Sequence, residues 1–378
     1  MLKSIGYYIF AFNYNICRLF PVEDKRVFCI MTHDDGEDSN VSLLIRELKK
    51  HNKYSFSYIT KTETGSVKGL KSVSKLLSFF ILKPYYLARS RVVLMDNVFI
   101  PMAFLRVKKR SLVVQLWHGT GTIKKFGQDA NTGRLRMLEE KANRNITHLI
   151  VNNKQTAKLY AKVFGIDISR VYPLGLPKTD DILERIWKID RDGANRDKNI
   201  VYERNGLAHN QKLILYAPTF RDSDLSCETL IKQVEELAEQ LPSDYILGLR
   251  LHPFVAQMTK RKGIKGVCDL SNERSLAALI MASDLLITDY SSIIFEYCIT
   301  EKPIIFFAFD LEEFSEHGRG FYESYETYVP GPIARTPKEI IDIIKEANYS
   351  IEQIRSFKAN NFTNIDGKAG ERIIKLLD

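Results

Sequence analysis

The chain has 378 residues, of which 45% are hydrophobic and 27% charged, and it carries a formal net charge of +9 at pH 7. This composition excludes a disordered or fibrous chain, and the length exceeds what one hydrophobic core usually holds, so we expect a globular protein of two domains. The positive charge favours a polyanionic partner, such as a phosphorylated substrate, an anionic membrane or nucleic acid, and charge alone does not choose among them.

The first twenty residues are apolar and aromatic, which raises the question of a signal peptide or a membrane anchor. Asn13, Asn15 and Arg18 interrupt the run and no small-residue cleavage site follows, so we predict neither a signal peptide nor a spanning helix. The mixture of aromatic and basic residues is typical of a helix that lies in a lipid headgroup layer. The alternative is a helix that packs into the core of its own domain.

A first strand–loop–helix unit follows, with strand Lys25–Ile30 and a helix capped by Asn40 or Ser39. We expect no metal site in the loop between them, because consecutive residues of one loop rarely converge on a single ion. The metal-ligand types in this loop are His33, Asp34, Asp35, Glu37 and Asp38.

Two more predicted strands, YSFSYIT and RVVLMDN, flank a basic helical segment. In this segment, Lys68–Lys83, lysines alternate with leucine, isoleucine and phenylalanine. The pattern indicates either a surface that supports the N-terminal helix at an anionic membrane or an ordinary solvated helix face.

The stretch Val113–Gly127, VVQLWHGTGTIKKFG, combines an apolar strand with a glycine-bearing polar loop. The strand is followed by Trp117 and His118, and the loop closes with Lys124 and Lys125. Ligands of open α/β sheets lie at the carboxyl ends of the strands, so we predict an anion-binding site here. A tight turn with a basic rim is the alternative.

In the second half of the chain, three predicted strands end in polar residues. A charge-dense stretch, Asp190–Asp197, predicts the linker before this half. The polar residues are Thr219 with Arg221, Arg250 with His252, and the run Asp289-Tyr290-Ser291-Ser292 before a helix. Hydroxyl groups at a helix N-terminus form a ready phosphate site, although a simple helix cap explains the last run equally well. Together with His118 and the two lysines, these strand ends predict a cleft between two Rossmann-like domains that holds a diphosphate.

Six motifs follow one another in a specific order: WHGTGTIKKFG, GLPKTD, YAPTFRD, RLHP, ITDYSS and the segment Arg319–Pro332. In this order and spacing, the chain resembles the CDP-glycerol glycerophosphotransferase family of teichoic acid synthesis, from Val27 to the C-terminus. The resemblance implies an α/β GT-B fold: two Rossmann-like domains whose parallel sheets face a central cleft, with the nucleotide donor held mainly by the second. In its compact length and in the form of its first motif, the chain is more similar to the priming enzyme of this family than to the polymerase. Lys178 stands where the family more often carries arginine, which keeps the charge and loses bidentate phosphate geometry.

The resemblance also implies a domain organisation and a reaction. We expect an acceptor- and membrane-side domain over 1–189, a CDP-glycerol-binding domain over 198–350, and a C-terminal helix over 351–378 that crosses back to the first. The expected reaction moves glycerol phosphate from CDP-glycerol to a hydroxyl of an undecaprenyl-diphosphate-linked saccharide and releases CMP, which primes teichoic acid synthesis.

The expected setting is the cytoplasmic face of the cell membrane of a Gram-positive bacterium, with peripheral attachment. The five cysteines include no CxxC pair, which agrees with a reducing, cytosolic environment. We expect no resident cofactor or metal and no nucleic acid partner, and other teichoic acid enzymes are candidate partners.

Two histidines are the candidate catalytic residues. His118 is the candidate base, since imidazole titrates near neutral pH and the resemblance places it facing the transferred group. His252, with Arg250 nearby on the strand, would stabilise the departing phosphate, and Arg319 would close over the donor.

Substrate binding is assigned to residues of the first motif and of the strand ends. The two lysines would neutralise charge on the acceptor side, and the hydroxyl groups would hold phosphate oxygens. The candidates are Trp117, Gly119, Thr120, Lys124, Lys125, Thr219, Arg221, Arg250, Asp289, Ser291, Ser292 and Arg319.

Two alternatives stay open. In the first alternative the chain is a related enzyme that uses CDP-ribitol as the donor or that modifies a capsular polysaccharide. In a different class, the chain is a non-catalytic protein that binds nucleic acid or anionic lipid, although no RNP, zinc or basic-helix pattern supports nucleic acid. Other motifs are incomplete: Gly119-x-Gly121 lacks the third glycine of a dinucleotide fingerprint, and the chain contains neither a phosphate-binding P-loop nor a GxSxG elbow.

Overall fold

A computed structural model describes residues 2–64, 73–219, 224–251, 255–256, 264, 266–318 and 320–377. The chain divides into two compact units. The first comprises Met1–Thr120, Phe126–Asp180 and Phe362–Asp378, and the second comprises Gly121–Lys125 and Asp181–Asn361.

The first unit contains a six-stranded parallel sheet in the order β2-β1-β3-β4-β5-β6. Its strands are β1 (Glu23–Met31), β2 (Ser55–Thr60), β3 (Ser90–Met95), β4 (Leu112–Gln115), β5 (His148–Ile150) and β6 (Val171–Tyr172). The central strands are buried on both faces, which explains why their sequences are continuous apolar runs and do not alternate. In register, Leu94 of β3 lies between Cys29 of β1 and Val114 of β4.

Helices cover this sheet. They are α1 (Leu2–Cys17), α2 (Asn40–Lys50), α3 (Lys61–Thr64), α4 (Val73–Leu77), α5 (Lys83–Arg89), α6 (Gly133–Asn143), α7 (Lys154–Phe164) and the first turn of α8 (Pro177–Asp192), with a π-helical turn at Ser78–Leu82 and 3₁₀ turns at Ile100–Phe104, Gly127–Asp129 and Ile168–Arg170. Ser39 is the cap of α2, because its hydroxyl accepts from the Ser42 N–H group. Asn40 is the first helical residue, which frees its side chain for contacts described below.

The second unit contains another six-stranded parallel sheet, in the order β12-β11-β10-β7-β8-β9. Its strands are β7 (Lys212–Ala217), β8 (Tyr245–Leu249), β9 (Val267–Asp269), β10 (Leu285–Thr288), β11 (Ile304–Phe307) and β12 (Ile333–Ala334). Its helices are α9 (Arg196–Asn205), α10 (Asp224–Gln240), α11 (Leu276–Ala282), α12 (Ile293–Tyr297), α13 (Leu311–His317), α14 (Tyr325–Tyr328), α15 (Pro337–Glu346) and α16 (Ile351–Asn361), with a 3₁₀ turn at Cys298–Thr300. Apolar residues of β7, β8, β10 and β11 pack with α10 and α15 into one core.

The last helix, α17 (Ala369–Leu377), belongs to the first unit and packs on α2. The Gly370 N–H group donates to Asp180 over 2.8 Å, and the Arg372 guanidinium donates to the Leu174 carbonyl oxygen over 2.8 Å. The expected C-terminal segment 351–378 therefore divides, because α16 counts with the second unit.

The stretch predicted as a linker is mostly helical. Its first residues end α8, Gly193 adopts a left-handed conformation with φ +66°, and α9 begins at Arg196. The division between the two units falls inside α8, between Asp180 and Asp181. A solvated helix has the same polar composition as a linker, so composition alone did not separate the two.

Within the part of the chain that the structure describes, we find no helix that combines the length and apolar character needed to cross a bilayer.

Candidate functional site

Trp117 and His118 follow β4 directly, at the carboxyl edge of the first sheet. Trp117 has φ +55°, a left-handed conformation that is rare for a bulky residue and usually marks a constrained site. Its N–H group donates to the Gln115 side-chain oxygen over 2.9 Å, and its carbonyl oxygen accepts from the Asn40 amide over 3.1 Å. These two hydrogen bonds hold the turn that presents His118.

The His118 ring lies against a second histidine. Its plane stacks on that of His33, with ring centroids 3.6 Å apart and 16° between the planes. Nδ1 of His118 lies 3.1 Å from the Asp96 main-chain oxygen. Because a carbonyl oxygen only accepts, Nδ1 carries the hydrogen in this bond, and Nε2 of the neutral ring keeps its lone pair. His118 is therefore arranged to accept a proton at Nε2.

Burial lowers the pKa of His118 to about 3, and the neighbouring His33 lowers it further than any other charged group does. Burial also lowers the pKa of His33. His118 is consequently neutral throughout the physiological range in the free protein.

Asp96 connects the ends of β1 and β3. Its buried carboxylate accepts from three consecutive N–H groups, those of Thr32, His33 and Asp34, over 2.9, 3.0 and 2.8 Å. Burial raises the pKa of the Asp96 carboxyl, and the three N–H donors act in the opposite direction. Asp96 was not among the residues predicted from the sequence, although it follows a buried strand in the same way as they do.

Lys178, at the start of α8, lies at the same edge of the sheet. Its Nζ atom is 3.3 Å from the His118 main-chain oxygen and 3.5 Å from an Asp34 carboxylate oxygen. Its N–H group donates to the Asn40 side-chain oxygen over 3.1 Å. Thus the lysine of the GLPKTD motif belongs to the surroundings of His118. The sequence identified this lysine only as a departure from the family pattern.

Gly119 and Thr120, two of the predicted substrate-binding residues, are buried. The Thr120 carbonyl oxygen accepts from the Asn152 side-chain amide. Their burial gives both residues a part in holding the loop, and the prediction that they contact substrate stays a prediction.

The second half of the loop, Gly121–Lys125, counts with the second unit. Lys124 forms an antiparallel bridge with Phe321, and the Lys125 N–H group donates to the Gly320 carbonyl oxygen over 3.0 Å. Position 121 requires glycine, because a Cβ atom there would lie 2.4 Å from the Phe295 ring. Because of these contacts, both lysines count with the second unit and not with the first, where the acceptor-side domain was expected.

Lys124 points to the carboxyl end of β7. Its Nζ atom lies 3.3 Å from the Thr219 hydroxyl oxygen. The Thr219 N–H group donates to the Asp289 carboxylate over 2.8 Å, and the Asp289 carbonyl oxygen accepts from the Tyr325 hydroxyl over 3.0 Å. The side chain of Asp289 is buried, so it positions the β7 end, and its direct contact with substrate stays a prediction.

Ser291 and Ser292 are partly exposed between β10 and α12. The helix that follows has only five residues; the Ser292 side chain makes no capping hydrogen bond, and the Ser291 hydroxyl accepts from the Ile293 N–H group over 3.4 Å. A helix this short contributes little dipole, so the predicted phosphate contact rests on the two hydroxyl groups.

Arg250 is partly exposed just after β8 and donates to the Glu273 carbonyl oxygen over 3.0 Å. The predicted site residues Arg221, His252 and Arg319 lie outside the described residues. Among the residues that the structure describes, no three or more histidine, cysteine or acidic side chains are grouped as metal ligands.

Comparisons with known proteins point to one family. The family model described as CDP-Glycerol:Poly(glycerophosphate) glycerophosphotransferase matches residues 12–378. The teichoic acid poly(ribitol-phosphate) polymerase of Bacillus spizizenii is 32% identical over 387 residues, which cover 99% of this chain and 59% of the polymerase. The teichoic acid ribitol-phosphate primase of the same organism is 30% identical over 94% of this chain and 91% of its own length. The teichoic acid glycerol-phosphate primase of Bacillus subtilis is 31% identical over 78% of this chain and 75% of its own length.

Solved structures agree on the fold. The wall teichoic acid polymerase TagF superposes with a TM-score of 0.75 at 22% identity, over 100% of this chain and 94% of that chain. UDP-GlcNAc 2-epimerase from Neisseria meningitidis superposes with a TM-score of 0.60 at 13% identity. The predicted α/β class with two parallel sheets, a GT-B-like fold, is confirmed.

Proposed function

The chain belongs to the CDP-glycerol:poly(glycerophosphate) glycerophosphotransferase family, and from this premise we propose that it transfers glycerol phosphate from CDP-glycerol to a hydroxyl group of a lipid-linked saccharide. Relatives of the chain include primases and polymerases of teichoic acid synthesis. The observation that carries the proposal is the neutral His118 ring, whose Nδ1 is bound to the Asp96 carbonyl oxygen and whose Nε2 is left to accept a proton.

In the proposed reaction, the acceptor hydroxyl oxygen attacks the β-phosphorus of the donor. Its proton moves to Nε2 of His118, a new P–O ester bond forms, and the bond from the β-phosphorus to the bridging oxygen breaks. The electron pair of that bond leaves with CMP. A phosphate group of a bound substrate beside the ring would raise the pKa of His118 from its value in the free protein and make it a stronger base.

We assign the donor diphosphate to the second unit. Lys124 and Thr219 offer an ammonium group and a hydroxyl group 3.3 Å apart at the end of β7. Charged donors form short, strong hydrogen bonds with phosphate oxygens. His252 keeps its predicted role at the departing phosphate, Arg319 that of closing over the donor, and Arg221 that of a substrate-binding residue.

Lys124→Met is expected to raise the KM for the CDP-polyol donor at least about tenfold while changing kcat less, because it removes a charge-assisted contact worth about 1.5–3 kcal/mol. Steady-state kinetics with the donor varied at fixed acceptor would measure this. The matched control is Lys212→Met, at the opposite end of the same strand. If both variants kept the normal KM, the donor diphosphate would not lie at Lys124.

The function itself is tested by incubating the protein with CDP-glycerol and a lipid-linked saccharide and measuring CMP. We expect CMP release that depends on both substrates. A protein that binds anionic lipid but releases no CMP with any CDP-polyol would belong to the non-catalytic class.

CDP-ribitol is the second candidate donor. Two relatives that are 32% and 30% identical to the chain are named for ribitol phosphate. Measuring kcat/KM for CDP-glycerol and CDP-ribitol with the same acceptor decides between them. Repeating the assay on an acceptor that already carries one polyol phosphate separates priming, which we propose, from polymerisation.

We also propose peripheral attachment to the cytoplasmic face of a membrane through the first unit. One face of α1 is buried at Phe10 and Tyr14, while Tyr8 and Phe12 on the same helix are 56% and 66% exposed. Asn13 donates to the Phe80 carbonyl oxygen over 2.7 Å and thereby ties α1 to the π-helical turn. The helix thus has a core face and an exposed apolar face, and the exposed face supports the proposed membrane attachment.

The segment beside α1 extends the apolar surface. Its exposed large apolar residues are Val73, Leu76, Leu77, Ile81 and Leu82. Lys83 does not join this surface, because its ammonium group forms an ion pair with Glu63 at 3.2 Å and is mostly buried. Lys68 and Lys71, which the basic pattern included, lie outside the described residues. Apolar insertion therefore supports the membrane proposal more strongly than the predicted basic pattern does.

Replacing Phe12 and Leu77 together by aspartate is expected to lower binding to anionic lipid vesicles at least about tenfold, since two half-exposed apolar side chains contribute roughly 1–2 kcal/mol each on insertion. Vesicle co-sedimentation measures this. Ile200→Asp, at a position 49% exposed on α9 of the second unit, is the control. Equal sedimentation of all three proteins would contradict the proposed surface.

A further inference from the structure

His33 and His118 form a face-to-face pair that the proposed reaction leaves partly unused. Their ring centroids are 3.6 Å apart, and their planes are inclined by 16°. At this distance no water fits between the rings, so His33 covers one face of the His118 imidazole. The indole of Trp117 also packs against the His118 ring, with the two ring centroids 4.1 Å apart.

The pair is fixed by one buried residue. The Asp96 carboxylate accepts from the His33 N–H group over 3.0 Å, and the Asp96 carbonyl oxygen faces Nδ1 of His118 at 3.1 Å. Because both bonds come from the same residue, the loop that carries His33 and the loop that carries His118 are held in a fixed relation. Asp96 thus holds the two rings in their stacked position.

The charges around the pair come from four elements. Asp34, beside His33, pairs with Lys178 of α8 at 3.5 Å, and the positive charge of Lys61 of α3 lowers the pKa of His33. Asp96 follows β3. Two parallel imidazolium rings at contact distance would repel each other, so the stack excludes protonation of both rings, and burial disfavours protonation of either.

We propose that His33 is a positioning residue for the transfer reaction: its ring, stacked on His118, excludes water from that imidazole and holds it neutral with Nε2 as the proton acceptor. The chemical part of this statement rests on the proposed function. The state of the His118 ring is a property of the free protein and is tested separately.

The first test measures the protonation of His118 in the full chain by NMR of ¹³C-labelled histidine, with the signal assigned by His118→Gln. In His33→Ala we expect the pKa of His118 to rise by at least about one unit, because water reaches the uncovered face. In His33→Phe, which keeps a flat ring over His118, the pKa should stay low. His33→Gln, which keeps a polar side chain but no ring, replaces the alanine variant if that protein does not fold. An unchanged His118 pKa in the variant without a ring would overturn the proposal.

The second test is the pH dependence of kcat. Since His118 must be neutral to accept the proton, raising its pKa moves the acidic limb of the profile to higher pH, in the same direction as the shift that NMR reports for the free protein. We expect this movement in His33→Ala, with the donor KM within about twofold of wild type, and a return toward the wild-type profile in His33→Phe. An equal loss of kcat at every pH, with the limb unmoved, would show a merely structural role and refute the proposal. If the wild-type protein released no CMP, the proposed function would fail while the NMR test still decided the role of His33.

Discussion

His118→Ala is expected to lower kcat by ~10²-fold or more, with the dissociation constant for the CDP-polyol donor nearly unchanged. The substitution removes the proton acceptor at the end of β4, while the donor contacts assigned to Lys124 and Thr219 remain. Acceptor-dependent CMP release gives kcat, and calorimetric titration with the donor gives the dissociation constant. The two measurements together separate a lost chemical step from lost binding.

The matched control is His148→Ala, which removes a histidine at the beginning of β5 in the same sheet. His148 stacks on Tyr172 and lies away from the carboxyl edge, so near-normal kcat is expected. Near-normal turnover in His118→Ala would refute the assignment of the base. A loss that also abolished donor binding would instead indicate a rearranged protein.

Asp96→Ala is expected to lower the free energy of unfolding of the first unit by about 3–5 kcal/mol, because three N–H groups in partly buried hydrogen bonds lose their acceptor at roughly 1–3 kcal/mol each with partial compensation by water. Activity should fall with it, since the loop carrying His33 and the orientation of His118 depend on this residue. Urea unfolding followed by circular dichroism measures the stability.

Two further variants serve as comparisons for the loss of stability in Asp96→Ala. Asp96→Asn keeps one oxygen acceptor and should lie between wild type and alanine. Asp167→Ala removes an exposed carboxylate that accepts from the Ser169 N–H group, and it should change stability far less. Equal effects of Asp96→Ala and Asp167→Ala would mean that the three hydrogen bonds of Asp96 do not hold the loop.

Much of the fold follows from local sequence. The central strands of both sheets are continuous apolar runs, the pattern that is typical of a parallel sheet covered on both faces. Each run is followed by a polar loop. That rule placed His118 and Thr219 at strand ends without any tertiary information. The six motifs in their order were sufficient to indicate the family, and the first of them, WHGTGTIKKFG, begins just after such a strand.

Local sequence could not assign every residue to its unit. Gly121–Lys125 lies between β4 and β5 of the first sheet in the chain, yet Lys124 pairs with Phe321 and belongs with the second unit. Lys83 fits a basic amphipathic pattern, yet it turns inward to Glu63. In both cases a long-range partner decides the position, and a pattern of neighbouring residues contains no record of that partner.

The sequence by itself determined which residue types stand at the strand ends, because periodicity and apolar runs are local properties of the chain. Only the tertiary structure decided what those residues do to each other. His33 lies in a loop whose composition suggested metal ligands, and it becomes the cover of His118 because Asp96, 63 positions away in the chain, binds its N–H group. Stacking, burial and the resulting pKa of His118 depend on distances of a few ångströms between segments that are remote in sequence, and such distances exist only after the sheet has formed.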